Sequence, residues 1–235
     1  MSYSYPDIDD MHVCSCDGIL CFIFNGSFLL LWNPFIRRQL HLFPPMKKLG
    51  QTDFYSFEYD DFTHTYKIVS VSLFKDDTNV VRVFTLGINS WKRIQASPYC
   101  NFILRSGVFV SGTINWLILD AMNKFSREIV SLDFEKESYQ NILMPNVEKD
   151  FCHTLGVLRD CLCIFSTSHV LVDVWITKEY GTKKPWTKLY SVPFSRDWGM
   201  YPSANALYVR EDDQVIMYFQ NIKKLKVVTP RFPNN

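Results

Sequence analysis

The chain has 235 residues, a formal net charge of +1 at pH 7, 16% aromatic residues and nine glycines. Near-neutral charge excludes a general attraction to nucleic acid or anionic lipid; the basic pairs Lys47-Lys48, Lys183-Lys184 and Lys223-Lys224 read as solvated loop or strand-edge residues. The length permits a single all-β domain with a sizeable core, and no stretch is of low complexity.

Residues 1–12, MSYSYPDIDDMH, carry no basic segment followed by an apolar one, so they read as an N-terminal tail without a signal peptide. The next stretch, GILCFIFNGSFLLLWNP from Gly18 to Pro34, is apolar enough to suggest a membrane segment. Its two apolar runs are cut by Asn25-Gly26-Ser27, and neither reaches the roughly 20 residues a spanning helix needs. Asn25-Gly26-Ser27 also fits the N-glycosylation acceptor pattern, but without secretion Asn25-Gly26 reads as the positive-φ pair of a two-residue hairpin turn. The seven cysteines include no C-x-x-C pair, and His12, His41, His64, His153 and His169 lack ligand spacing. Cys14 and Cys16, like Cys161 and Cys163, fall two apart, which puts each pair on one face of a strand. They read as free thiols packed in a reducing compartment, placing the chain in the cytoplasm or nucleus with no metal and no cofactor.

Further along, the chain repeats. The turn segments at Gly18, Thr65, Gly112 and Asp160 are separated by 47, 47 and 48 residues. A second marker recurs at Gln39, Trp91, Tyr139 and Trp186, separated by 52, 48 and 47. Between the markers lie the apolar runs FLLLW, VRVFTL, IVSLDF and VDVWI, and nowhere does a helical period dominate. Each unit reads as four short strands, as in FYSFEY, YKIVSVSLF, VVRVFTL and SWKRI. Four-stranded units of about 40 to 50 residues are the mark of β-propeller blades. The expected fold is therefore all-β and propeller-like, with about five antiparallel blade units over residues 13–229 and a tail at 230–235. The fifth unit has a hairpin at Asp212-Asp213 and runs out after three strands, which leaves an incomplete ring open.

Catalytic patterns are sparse. No G-x-G or G-x-S-x-G occurs, and Gly181-Thr182-Lys183-Lys184 lacks the upstream glycine of a phosphate-binding loop. The pairs Asp60-Asp61, Asp76-Asp77 and Asp212-Asp213 read as turn residues bonding their own backbone. A kelch-type copper-radical oxidase would need tyrosines, a cysteine and histidines converging in space. Loops between blades are the expected binding elements. The loop 193–202 holds Arg196, Asp197, Trp198, Met200 and Tyr201, and the loop 96–105 holds Tyr99, Phe102 and Arg105. Trp, Tyr and Arg are enriched at protein-binding hot spots, while Trp198 reads equally well as a cap on the blades. Trp32, Trp91, Trp116, Trp175 and Trp186 read as core between blades.

At these markers the chain resembles the plant F-box proteins, in their F-box-associated interaction domain of the kelch-like type. The matching stretches, in order, are CSCDGILC, LWNPFIRRQLHLFP, FEYDDFTHTYKIVSV, VFTLGINSWKRI, GVFVSGTINWL, IVSLDFEKESYQNILMP, LGVLRDCLCI and DVWITKEYGTKKPWTKLYSVP. The resemblance implies a propeller-like domain that binds a target protein, which an N-terminal F-box hands to a cullin–RING (SCF-type) ubiquitin ligase through a Skp-family adaptor. No helical, Leu-Pro-rich F-box is read in the residues before CSCDGILC, and VVTPRFPNN stops short of the family's further strands, so adaptor and cullin binding is not implied for this stretch. The resulting expectation is a protein-binding module without catalysis, nucleic acid or membrane. Its alternatives are a truncated copy, inactive or competing with longer relatives, and an enzyme or sugar-binding propeller.

Overall fold

The computed structural model describes residues 11–24, 28–42, 52–74, 78–98, 102–103, 107–120, 126–147, 152–158, 160–168, 171–177, 186–193, 204–209, 215–219 and 224–228, the last three as backbone alone. These form twenty strands in five antiparallel sheets. The first sheet is β1 (Met11–Cys16), β2 (Ile19–Phe24), β3 (Phe28–Asn33) and β4 (Arg38–Leu42). The second is β5 (Thr52–Asp60), β6 (Thr65–Leu73), β7 (Asn79–Thr85) and β8 (Ser90–Ile94). A third holds β9 (Phe102–Ile103), β10 (Val108–Val110), β11 (Thr113–Asp120), β12 (Ser126–Asp133) and β13 (Ser138–Ile142). β14 (Cys152–Leu158), β15 (Cys161–Thr167), β16 (Leu171–Thr177) and β17 (Thr187–Pro193) make the fourth; β18 (Ala204–Val209), β19 (Val215–Phe219) and β20 (Lys224–Val228) make the fifth. Strand order follows chain order in every sheet except for β9, which pairs with β11. Four-stranded meanders in series are the blades of a β-propeller.

The turns explain the repeat. Residues with left-handed φ occur at Asp17 and Gly18, at His64, at Ser111 and Gly112, and at Asp160, where strands one and two of successive blades connect. A second series, Arg37, Asn89 and Glu137, closes the turn between strands three and four. Two consecutive positive φ values at Asp17-Gly18 and Ser111-Gly112 give the twist that suits a two-residue hairpin. The hairpin at Asn25 is present, but Phe24 pairs with Phe28, so three residues lie between the paired ends where a two-residue turn was expected. Residues 25–27 themselves lie outside the described residues.

The chain divides into two compact units, one holding the first two sheets together with 105–107 and 135–137, the other holding the rest. In the first unit, Cys21, Ile23, Leu29 and Leu31 of one sheet pack on Tyr55, Phe57, Ile68 and Phe84 of the next. β1 and β5 run side by side in the same sense, with Cys14 against the Phe57 backbone and Cys16 against that of Tyr59. His12 and Tyr55 rings meet at 5.0 Å. Asn79 staples the blade: its amide donates to the Ser97 carbonyl at 3.1 Å and its oxygen accepts from Ser97 N–H at 3.0 Å, both buried. In the second unit, Val110, Leu117 and Ile129 pack on Leu162 and Ile164.

Not every aromatic goes inside. Trp116 is buried and Trp91 and Trp175 are half-buried, but Trp32 is 37% exposed, a correction to its expected core role. Trp32 lies one residue from the β3–β4 turn, on a strand otherwise buried or half-buried. Trp186 immediately precedes β17 and donates its indole N–H to the Leu143 carbonyl at 2.6 Å.

Gly156, in β14, lies beside the Phe165 ring of β15, and a Cβ built there would stand 2.8 Å from Phe165 Cε2. Phe165 is wholly buried and has nowhere to retreat, so the glycine is a site of close approach. Gly156→Val should therefore destabilise by about 1–3 kcal/mol despite valine's liking for strands. Denaturant unfolding checks this, and pairing it with Phe165→Leu should recover part of the loss; an unchanged midpoint for the single variant would show that the ring can move aside.

Candidate functional site

One end of the first unit collects four turns: β1–β2, β3–β4, β5–β6 and β7–β8. They share that end because each sheet is an antiparallel meander and β1 runs in the same sense as β5. In the β3–β4 turn, Asn33 Oδ1 accepts from the N–H groups of Phe35 at 3.0 Å and Ile36 at 3.3 Å. Phe35 lies over Gly18, where a Cβ would come within 3.3 Å of its ring. In the β5–β6 turn, Asp60 accepts from Phe62 N–H at 3.1 Å and the Thr63 hydroxyl at 2.5 Å, and pairs with Lys67 at 2.5 Å. Burial opposes ionisation of Asp60, but Lys67 and Thr63 outweigh it and hold the carboxyl below its usual range. This bears out the turn role expected of Asp60. The β7–β8 turn is tied back through Leu86, whose N–H donates to Tyr66 O at 3.0 Å and whose carbonyl accepts from Thr65 Oγ1 at 2.9 Å. Outward from these fixed turns stand Phe35 (86% exposed), Ile36 (65%), Phe62 (70%) and Ile88 (72%).

The residues expected from loop position fall elsewhere. Tyr99, Arg105, Arg196, Asp197, Trp198, Met200 and Tyr201 lie outside the described residues. Phe102 is a correction: its backbone is in β9, paired with Leu119, and is not part of a free loop. β10 covers only the first three positions of the eight-residue β11, which leaves Ile118 and Leu119 open for the Phe102-Ile103 pair to complete the edge. Sequence reasoning missed the exposed turn residues because it weighed only the opposite set of loops. Aligning the turns themselves would have shown the apolar pair Phe35-Ile36 where the third blade has Glu135-Lys136.

Near the same end, Cys14, Cys16, Asp17, Glu58 and Tyr66 form a seam between the two sheets. Cys14 Sγ donates to Tyr55 O at 3.4 Å, and the Tyr66 hydroxyl donates to Asp17 Oδ2 at 3.4 Å. Burial, with added repulsion from Glu58, pushes both thiols up to about 12; Asp17 adds to the rise at Cys16. Such thiols stay protonated near neutral pH and pack as small apolar groups. Burial first, and Asp17 second, pushes Glu58 up to about 8. Among the described residues no group of three His, Cys, Asp or Glu side chains could hold a metal ion, and no helix is long and apolar enough to cross a membrane. The folded chain keeps the Glu58 proton up to about pH 8. The unfolded chain releases it near pH ~4.3. Stability from this group is thus full below the unfolded value, falls as pH rises through that window, and levels off above it. Glu58→Gln should match the parent near pH 4 and melt at a progressively higher temperature than it toward pH 8; a pH-independent difference in melting temperature would contradict this.

The F-box associated beta propeller domain matches residues 2–230. Among curated relatives, the F-box/kelch-repeat protein At3g23880 of Arabidopsis thaliana is 26% identical, with 89% of this chain and 58% of that protein covered. The F-box protein CPR1 of the same plant is 27% identical, covering 89% of this chain and 59% of its own length. The chain thus spans less than two thirds of either relative. A solved structure, the beta-propeller domain of the Trilobed protease from Pyrococcus furiosus, aligns with a TM-score of 0.47 at 11% identity, covering 89% of this chain and 63% of that one. With its match running from residue 2 to 230 over a series of four-stranded blades, the chain belongs to the F-box associated beta propeller domain family.

Proposed function

We propose that the chain is a protein-recognition module that binds a target protein for an SCF-type ubiquitin ligase, in the cytoplasm or nucleus. The observation that carries this reading is the family match over nearly the whole chain, together with relatives that are themselves F-box proteins. In this role the blades are the rigid scaffold and their turns and loops carry the contacts. Adaptor and cullin are recruited by the F-box in such ligases, so a Skp-family partner for this chain is the finer part of the proposal.

Affinity purification of the tagged chain from plant cells, scored by mass spectrometry, tests both parts. The expected result is a specific non-chaperone protein, and the Skp-family adaptor and a cullin recovered with it would support ligase assembly as well. Recovery of such a protein without ligase subunits would retain target recognition and overturn ligase assembly. Chaperones alone would overturn both.

A further inference from the structure

The turns between strands three and four follow one plan in three blades. Pro34, Leu86 and Phe134 open them half-buried, and Arg37, Asn89 and Glu137 close them with positive φ. The two middle residues face outward: Phe35-Ile36, Gly87-Ile88 and Glu135-Lys136. In the third blade those positions are charged, so the fold of this turn does not require apolar residues there. Phe35 and Ile36 nevertheless occupy them in the first blade, and Ile88 and Phe62 are exposed on turns at the same end of the second. Exposed apolar side chains rimmed by polar and charged residues are the surface an interaction site offers. Beside Phe35 and Ile36 stand Arg37 and Arg38, both exposed and making no ion pair or side-chain hydrogen bond with the described residues. The acidic groups of this end are at other turns: Asp17 accepts a bond from Tyr66, and Asp61 is next to Phe62.

We propose that Phe35, Ile36, Phe62 and Ile88, with Arg37 and Arg38, form the docking surface for a protein segment that carries an apolar anchor beside acidic residues. The proposal rests on the protein-recognition reading above and places recognition on the turn end of the first two blades, away from the loops 96–105 and 193–202. Charge complementarity selects the occupant: two exposed arginines next to the exposed pair, without an ion pair among the described residues, call for carboxylates next to whatever covers it. The backbone is already set by Asn33, Asp60 and the left-handed closing residues, so little ordering cost falls on this side of the contact.

The test is selection of a phage-displayed random peptide library on the purified full chain. Enriched peptides should carry a Leu or Phe flanked by Asp or Glu. Their binding should fall about tenfold or more with Phe35→Ser and with Arg37→Glu/Arg38→Glu, and weaken as salt is raised. Peptides with Lys in place of the acidic residues should bind the charge-reversed variant. Because these positions are exposed, melting temperatures of the variants should equal the parent's, which separates lost docking from lost fold. Enriched peptides that bind both variants as tightly as the parent would overturn this surface and leave protein recognition standing. No enrichment at all would count against both. Flotation with vesicles containing phosphatidylserine, lost on Phe35→Ser, would replace the protein segment with a membrane surface, and a dimer that dissociates on the same substitution would replace it with a second copy.

Discussion

A four-stranded sheet whose middle strands are apolar on both sides has two faces to bury and no means of covering either by itself. That constraint organises this chain. All seven residues of β15 are buried, as are residues 68–72 of β6 and 129–132 of β12. Each such strand needs a neighbouring sheet, and each large side chain buried completely contributes about 1.5–3 kcal/mol. In the first unit the need is met by Leu29 and Leu31 against Phe57, Ile68 and Phe84, and in the second by Ile129 against Leu162 and Ile164. Gly156 shows how close the packing is, since even a methyl group at that position would press into Phe165.

With the sheets fixed by burial, the turns carry the variation. Left-handed residues recur at the same points of successive blades whatever the side chain: aspartate, histidine and serine at one corner, arginine, asparagine and glutamate at the other. The backbone plan is therefore held by geometry, and the chemistry of the middle residues varies from turn to turn. Phe35-Ile36 and Glu135-Lys136 occupy equivalent places with opposite chemistry. Display on a rigid corner is what a recognition module needs, and the family to which the chain belongs is one of F-box associated domains.

The seam near those turns is polar in composition, yet two thiols and a carboxyl within it are held protonated. Desolvation keeps Cys14, Cys16 and Glu58 protonated near neutral pH, so three groups that would be reactive in water act here as packing and hydrogen-bonding groups. Asp60 sits two positions further along β5 and stays ionised, because Lys67 and Thr63 outweigh its desolvation. The difference between the two carboxyls is one of partners.

Much of this was legible in the chain itself. The spacing of Gly18, Thr65, Gly112 and Asp160 tracks the left-handed corners, and the second marker at Gln39, Trp91 and Tyr139 follows Arg37, Asn89 and Glu137 by two residues each. Local chemistry wrote those signals: alternation along strands, turn formers between them, a fifth sheet of three strands among the described residues. Other features needed the tertiary structure. That Phe102 belongs to a strand depends on β10 being too short to cover β11, and that Trp32 is partly exposed depends on what its neighbours leave uncovered. The seam of Cys14, Asp17, Glu58 and Tyr66 joins residues up to 49 positions apart in the chain, and only the side-by-side course of β1 and β5 brings them within reach. Periodicity reports which way a side chain points from its own strand. What it meets there is decided by the neighbouring sheet, and a sequence read along its length does not contain that neighbour.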